Sequence, residues 1–146
     1  MKEIVETLKK RISENKNSML VTVVAGCGSI PRKAGAYMVV GEDGRVTGTI
    51  GGGNLEYQAT LMGQKLLTEK KNYLHEYNLG QEKSAELGMA CGGNATVLFY
   101  FVDAREDAAW IRQMEEAEEK KEAFWILMPL EEGLSLIHIS EPTRQA

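Results

Sequence analysis

Three consecutive glycines, Gly51–Gly53, constrain this chain more than any other feature of its sequence. They separate a strand-like segment, Arg45–Ile50, from a helix-like segment that begins at Asn54. Consecutive glycines cost backbone entropy, so they occur where the chain needs positive φ or where a ligand approaches the backbone closely. Asn54 is a good N-cap, and a glycine turn leading into a helix N-terminus suits a phosphate or another oxyanion. A plain packing turn is an equally good interpretation.

The order of the predicted elements indicates one sheet flanked by helices. Amphipathic periodicity predicts helices over 2–15, 54–70 and 106–121. Apolar runs, most of them rich in β-branched and aromatic residues, predict strands over 19–25, 36–40, 45–50, 73–79, 95–102 and 124–128. The near-continuous apolar run Ala95–Val102 indicates a central strand covered on both faces. Alternating helices and strands with one hairpin predict an α/β fold with a mixed β-sheet, with α+β as the alternative.

Composition and charge favour a cytoplasmic protein that binds neither nucleic acid nor a membrane. The 146 residues are enough for one domain with a hydrophobic core, and the formal net charge is -4. A mildly acidic chain lacks the basic surface typical of nucleic-acid binding. The sequence shows no signal-peptide apolar segment and no apolar run near the roughly 20 residues of a membrane span. Its two cysteines, Cys27 and Cys91, do not suggest a secreted disulfide framework.

The C-terminal residues 134–146 are predicted to be foreign to the protein. Residues 134–144 read LSLIHISEPTR, which closely resembles the in-frame translation of a transposon-end adaptor used in sequencing libraries. On this interpretation the native sequence is read as far as Gly133, the natural protein is longer, and His138 carries no function. A genuine natural tail is the alternative.

Two further loops carry candidate ligand-binding residues. The first contains Ser29 and Arg32, and the guanidinium of Arg32 can present a planar fork to a phosphate or carboxylate. The second contains Cys91, Gly92 and Gly93, and an accessible thiolate can act as a nucleophile or bind a soft metal. The alternatives are a solvated loop for the first and a small buried cysteine for the second.

Signatures of catalysis are missing from the sequence. There is no Walker phosphate loop, no spaced dinucleotide fingerprint, and no recognisable Ser/His/Asp or Cys/His set. His75 is the one histidine outside the tail, and we interpret it as structural. Glu56 follows the glycines in the first helical turn, where a carboxylate usually stabilises the helix dipole rather than a ligand. The missing general base argues against an enzyme.

The ordered set of motifs resembles the N-terminal domain of the XdhC/CoxI family of xanthine dehydrogenase accessory proteins. The motifs are Gly28–Arg32, Gly35–Ala36, Gly48–Gly53, Leu55–Glu56, Gly88–Met89 and Cys91–Gly93. They lie within residues 2–103 of a domain expected over 1–133. The resemblance implies a cytoplasmic maturation factor that holds the molybdenum cofactor, supports its sulfuration by a cysteine desulfurase, and delivers it to an apo molybdenum hydroxylase such as xanthine dehydrogenase.

The resemblance also implies a cofactor site built from the three loops. Its candidate residues are Ser29, Arg32, Gly51, Gly52, Gly53, Asn54, Cys91, Gly92 and Gly93, with Cys91 as the candidate metal ligand. Many relatives have a cysteine directly after the glycine triplet, where this chain has Asn54, so Cys91 becomes the main candidate thiol. The C-terminal Rossmann-like domain of the family is expected to be missing from this sequence.

Three functional hypotheses follow from these observations. The leading one is a cofactor-binding maturation chaperone rather than an enzyme. The second is a nucleotide- or pterin-dependent transferase or oxidoreductase that uses the same anion site. The third is a scaffold that docks the desulfurase or the apo-hydroxylase without holding cofactor. A homo-oligomer is compatible with each of them.

Overall fold

The computed structural model describes residues 1–25, 36–78, 94–130 and 133–139 of the chain. The elements in these ranges are α1 (Lys2–Ser13), β1 (Ser18–Ala25), β2 (Tyr37–Gly41), β3 (Gly44–Gly48), α2 (Gly53–Glu69), β4 (Tyr73–Asn78), β5 (Asn94–Val102), α3 (Ala108–Lys120), β6 (Phe124–Leu130) and β7 (Gly133–Ile139). None of the helices in the described ranges is long and apolar enough to cross a membrane.

The first five strands form one sheet in the order β3-β2-β1-β5-β4. The predicted α/β fold, a sheet with flanking helices, is confirmed. The prediction of a mixed sheet, with both parallel and antiparallel pairs, differs from the structure. All four neighbouring pairs of this sheet are antiparallel. Strands β3 and β4 do run in the same direction, as their strand–helix–strand order indicates. They lie at opposite edges of the sheet, however, so these two strands are never neighbours.

Both faces of the sheet are covered by helices. Helix α2 packs on one face, whereas α1 and α3 pack together on the other. Successive residues of a strand point to opposite faces, so Met19 and Val21 face α2 while Leu20 between them faces α1 and α3. In β5, Phe99 faces α2 while Leu98 faces α1 and α3, and both side chains are almost fully buried. The expectation that β5 is covered on both faces is confirmed. It is an interior strand between β1 and β4, while β1 lies at the centre of the sheet.

A buried arginine fastens α1 to one end of the sheet. The Nε atom of Arg11 donates to Ser18 Oγ at 2.7 Å, and an Nη atom donates to the carbonyl oxygen of Asn17 at 2.7 Å and to the carboxylate of Glu42 at 3.1 Å. A Cβ atom on Gly41 would lie 2.8 Å from this guanidinium. The absence of a side chain at Gly41 therefore provides the space that the Arg11 guanidinium occupies.

Strands β6 and β7 form a second, two-stranded antiparallel sheet. Their register runs from Phe124 paired with Ile139 to Leu130 paired with Gly133. The sequence predicts only a strand over 124–128 here, because residues 134–146 are interpreted as foreign to the protein. An alternating apolar segment can pair with a neighbouring strand whatever its origin, so the foreign origin of this segment and the domain boundary at 133 stay predictions.

Candidate functional site

The strand register brings several chain connections to one end of the five-stranded sheet. The pairs that define this end are Thr22 with Tyr37, Met38 with Gly48, Ala25 with Thr96 and Asn78 with Asn94. The chain therefore leaves β1 and enters β2, leaves β4 and enters β5, and passes from β3 to α2 at this same end. These connections contain the three loops that the sequence singled out.

Of the predicted site residues, the glycine turn is the part that the structure describes. Gly51, Gly52, Gly53 and Asn54 connect β3 to α2. The remaining predicted site residues lie outside the described ranges: Ser29, Arg32, Cys91, Gly92 and Gly93. Ala25 and Ala36, which flank residues 26–35, and Asn78 and Asn94, which flank residues 79–93, do lie at the end of the sheet from which the turn departs.

The glycine triplet has a backbone that other residues rarely adopt. The φ angles of Gly51, Gly52 and Gly53 are 127°, 75° and 64°. A Cβ atom on Gly52 or Gly53 would meet nothing within 4 Å, so this backbone borders open space. Positive φ combined with an open side is the arrangement that allows a ligand to approach a main chain closely.

Helix α2 begins one residue earlier than the sequence predicted. It starts at Gly53 after Gly52, and no side chain caps it. The prediction that Asn54 is the N-cap is therefore wrong, because the glycines lead the chain into the helix before Asn54. Asn54 is exposed in the first turn. The first N–H groups of a helix have no partner within it, so an uncapped first turn presents donors to an anion.

Two buried side chains and one close backbone contact fix the ends of the turn. Ile50 before the triplet and Leu55 after it are each 3% exposed. The N–H of Thr49 donates to the carbonyl oxygen of Tyr37 at 3.0 Å. Gly48 has a φ of 79°, and a Cβ atom on it would lie 2.2 Å from that same oxygen. Gly48 is therefore required by packing, in contrast to Gly52 and Gly53.

Glu56 fastens the turn from within the first turn of α2. Its Oε1 atom accepts hydrogen bonds from Thr49 Oγ1 and, at 3.1 Å, from the N–H of Ile50. The N–H of Gly51 donates to Thr49 Oγ1 at 3.1 Å, which ties the triplet to the same group. The Nε atom of Arg45 lies 3.8 Å from Glu56 Oε2. We call these four contacts the Glu56 clasp.

The sequence did not reveal the clasp. Its position predicts that Glu56 interacts with the helix dipole, whereas the structure shows hydrogen bonds from Thr49 and Ile50 to its carboxylate. A capping box places the threonine and glutamate three residues apart, whereas Thr49 and Glu56 are seven apart. Their spacing therefore carries no signature, and the contact depends on the course of the glycine turn between them.

The turn is electrostatically suited to an anion although a carboxylate lies beside it. The charge of Glu56 is offset by Arg45, whose side chain is 47% exposed, while that of Glu56 is 19% exposed. Within the described ranges, no group of three His, Cys, Asp or Glu side chains is placed to hold a metal ion. The described part of the candidate site thus offers main-chain N–H groups at the uncapped start of α2, and Cys91 lies outside the described ranges.

Other candidate features lie away from this turn. His75 lies between two tyrosine rings on β4, stacked on Tyr73 at 5.6 Å and edge-on to Tyr77 at 4.4 Å between ring centroids, which agrees with a structural histidine. One cavity of about 320 Å³ lies between α1 and α3. Another of about 420 Å³ lies at the opposite end of the sheet, near Glu42 and Lys70. Neither cavity is lined by the glycine triplet.

Comparison with protein families identifies the segment that contains the turn. Residues 12–78 match the model of the XdhC and CoxI family. This segment, a little under half of the chain, is therefore similar to the XdhC and CoxI family. The XdhC/CoxI segment includes strands β1 to β4, helix α2 and the whole glycine turn. The resemblance of the sequence motifs to this family is thus confirmed where the candidate site is described.

A solved structure supports the fold over nearly the whole chain. It is the crystal structure of a xanthine dehydrogenase from Bacillus halodurans, with a TM-score of 0.64 and 22% sequence identity. The alignment covers 95% of this chain and 45% of that one, so the chain spans less than half of that protein's length. At this identity the likeness shows the fold alone. A comparison with curated proteins found no match.

Proposed function

We propose that this protein is an accessory factor that holds the molybdenum cofactor during maturation of a xanthine dehydrogenase-type molybdenum hydroxylase. The family match over residues 12–78 supports a role in the maturation of such enzymes. Binding of the cofactor, its sulfuration by a cysteine desulfurase and its delivery to the apo-hydroxylase are the finer parts of the proposal. The chain acts in it by binding and orienting the cofactor rather than by turning over a substrate.

The open glycine turn is the observation that carries the proposal. The phosphate of molybdopterin needs donors that it can reach without a steric barrier. Gly52 and Gly53 border open space at the uncapped start of α2. The N-terminus of a helix favours a phosphate both through its free N–H groups and through its dipole. The residues of the turn therefore fit the anionic end of the cofactor.

The other candidate residues have separate tasks in the proposal. Arg32 would pair with a phosphate or nucleotide of the cofactor through its guanidinium. Cys91 would supply a thiolate, which is a soft ligand suited to the metal end. Their placement near the turn is supported by the shared end of the sheet, where the strand residues that flank both loops lie. When bound, the cofactor supplies the dithiolene-held metal that the client enzyme uses.

Cofactor binding can be tested with one glycine variant and a matched control. The purified chain is incubated anaerobically with molybdenum cofactor, and retained pterin is measured by fluorescence after gel filtration. We expect Gly52→Ala to bind at least tenfold less, because a φ of 75° opposes a side chain in the turn. Gly44→Ala is the control, since Gly44 also has positive φ, 117°, but is the first residue of β3, at the other end of the sheet.

The outcomes separate the proposal from its alternatives. Equal retention of pterin by both variants, or no retention by the unaltered chain, would contradict a cofactor site at the turn. A chain that captures an apo-hydroxylase from cofactor-free lysate without retaining pterin would instead be a docking scaffold. A double variant, Arg32→Ala with Cys91→Ala, tests the loops separately: full binding by it would remove these two residues from the site.

A further inference from the structure

We propose that Glu56 is a positioning residue for the anion site, and that the site binds only while the Glu56 clasp is closed. The inference rests on the proposed function, because it concerns the same glycine turn. It extends that function by assigning a role to a carboxylate which, by charge alone, should oppose an anionic ligand.

Gly52 and Gly53 have no packing neighbour on the side where a side chain would lie, since nothing is within 4 Å of the position of a Cβ atom. Glycine loses more conformational freedom on ordering than any other residue. A glycine run in which two residues border open space would therefore sample many conformations if only its flanking residues were fixed.

The clasp supplies the missing constraint on the entry side of the turn. Through Glu56 Oε1, the first turn of α2 is tied to Thr49 and to the N–H of Ile50, and Thr49 in turn holds the N–H of Gly51. Hydrogen bonds to a charged acceptor are stronger than neutral ones. The peptide N–H groups of Ile50 and Gly51 are thereby held relative to the helix whose N–H groups would meet the anion.

Arg45 offsets the negative charge of Glu56, so that this carboxylate can hold the turn beside a bound anion. Its guanidinium lies 3.8 Å from Glu56 Oε2, and its Nη1 atom donates to the carbonyl oxygen of Gly48 at 2.7 Å. The pair therefore presents little net charge to a ligand, and Arg45 also ties the last residue of β3 to the clasp. Without Arg45, the same carboxylate would repel the ligand that it positions.

Two substitutions of Glu56 distinguish a positioning role from charge repulsion, because the two roles predict different changes in affinity for an anion. If the carboxylate mattered only by repulsion, Glu56→Ala and Glu56→Gln would both tighten anion binding. Positioning predicts that Glu56→Ala weakens binding about tenfold, because the open turn must be ordered by the ligand. Glu56→Gln keeps an acceptor for Thr49 and Ile50, so it should restore affinity to within about twofold of the unaltered chain.

Glu3 offers a matched control elsewhere on the molecule. Its carboxylate accepts a hydrogen bond from Thr47 Oγ1, as that of Glu56 does from Thr49 Oγ1, but Thr47 lies within β3 rather than in the turn. Glu3→Ala should lower the melting temperature while leaving affinity unchanged. Amide hydrogen exchange provides a second readout, since Glu56→Ala alone should accelerate exchange at Ile50 and Gly51.

The test uses the full chain with two probes, molybdenum cofactor and inorganic phosphate. Weaker binding by Glu56→Ala, recovery by Glu56→Gln and no effect of Glu3→Ala would support the inference. Unchanged or tighter binding by Glu56→Ala, or equal weakening by Glu3→Ala, would overturn it. Binding of phosphate but not of cofactor would overturn the proposed function while still measuring the dependence on Glu56. Binding of neither probe would overturn both.

Discussion

Replacing Gly48 by alanine would place a Cβ atom 2.2 Å from the carbonyl oxygen of Tyr37 and 2.9 Å from the Cα atom of Met38. Both contacts are with the backbone of β2, so no rotation of a side chain can relieve them. The N–H of Thr49 donates to the same Tyr37 oxygen, so moving that strand also weakens this hydrogen bond. The position has a φ of 79°, which L-residues rarely adopt.

The expected loss of stability follows from two contributions. Left-handed backbone costs a residue with a Cβ atom roughly 1–2 kcal/mol, and overpacking costs roughly a further 1–3 kcal/mol. Gly48→Ala should therefore lower the free energy of unfolding by about 2–5 kcal/mol, a large part of the roughly 5–15 kcal/mol of a typical domain. At roughly 3 °C for each kcal/mol in a chain of this size, the melting temperature should fall by about 6–15 °C.

Thermal unfolding followed by circular dichroism, with urea unfolding as a second measure, tests this. Gly44→Ala is the control, because Gly44 has a φ of 117° but its Cβ atom would meet only Thr60 Cγ2, at 3.8 Å. It should lose the backbone contribution alone, about 1–2 kcal/mol. If the two variants lost equal stability, the close approach to Tyr37 would not be the reason for glycine at position 48.

Two further predictions concern stability. Phe99→Ala removes a fully buried ring from the α2 face of the sheet, and should lower the free energy of unfolding in urea by about 3–5 kcal/mol, whereas truncation of the exposed Tyr57 should have little effect. The N–H groups of Glu106 and Arg105 hold the pKa of Asp103 below its ordinary value of 3.8, so its stabilisation is present above pH 3.8 and lost as the pH falls through the lower folded pKa. The difference in stability between the unaltered chain and Asp103→Asn should shrink over that range, and a difference independent of pH would contradict this assignment.

Most secondary structure could be predicted because its causes are local. The buried residues Ile4, Val5 and Leu8 of α1 lie at helical spacing, and the apolar composition of β5 alone predicts a strand that is covered on both faces. Boundaries differ by a few residues, and the largest consequence is at α2, which begins at Gly53 rather than at Asn54. There the conformation of the glycines, which periodicity does not report, determined where the helix starts.

The sequence by itself determined that a glycine turn joins a strand to a helix, and it left a packing turn and an anion site as equally good interpretations of that turn. Only the tertiary structure decided what surrounds it. The pairing of Ser18 with Val102 joins residues 84 positions apart, and pairings of this kind fix the strand order that brings three connections to one end of the sheet. The contact of Thr49 with Glu56 likewise forms only once the turn is folded. Strand order and side-chain contacts across a turn depend on which surfaces are buried together, and no local pattern encodes that choice.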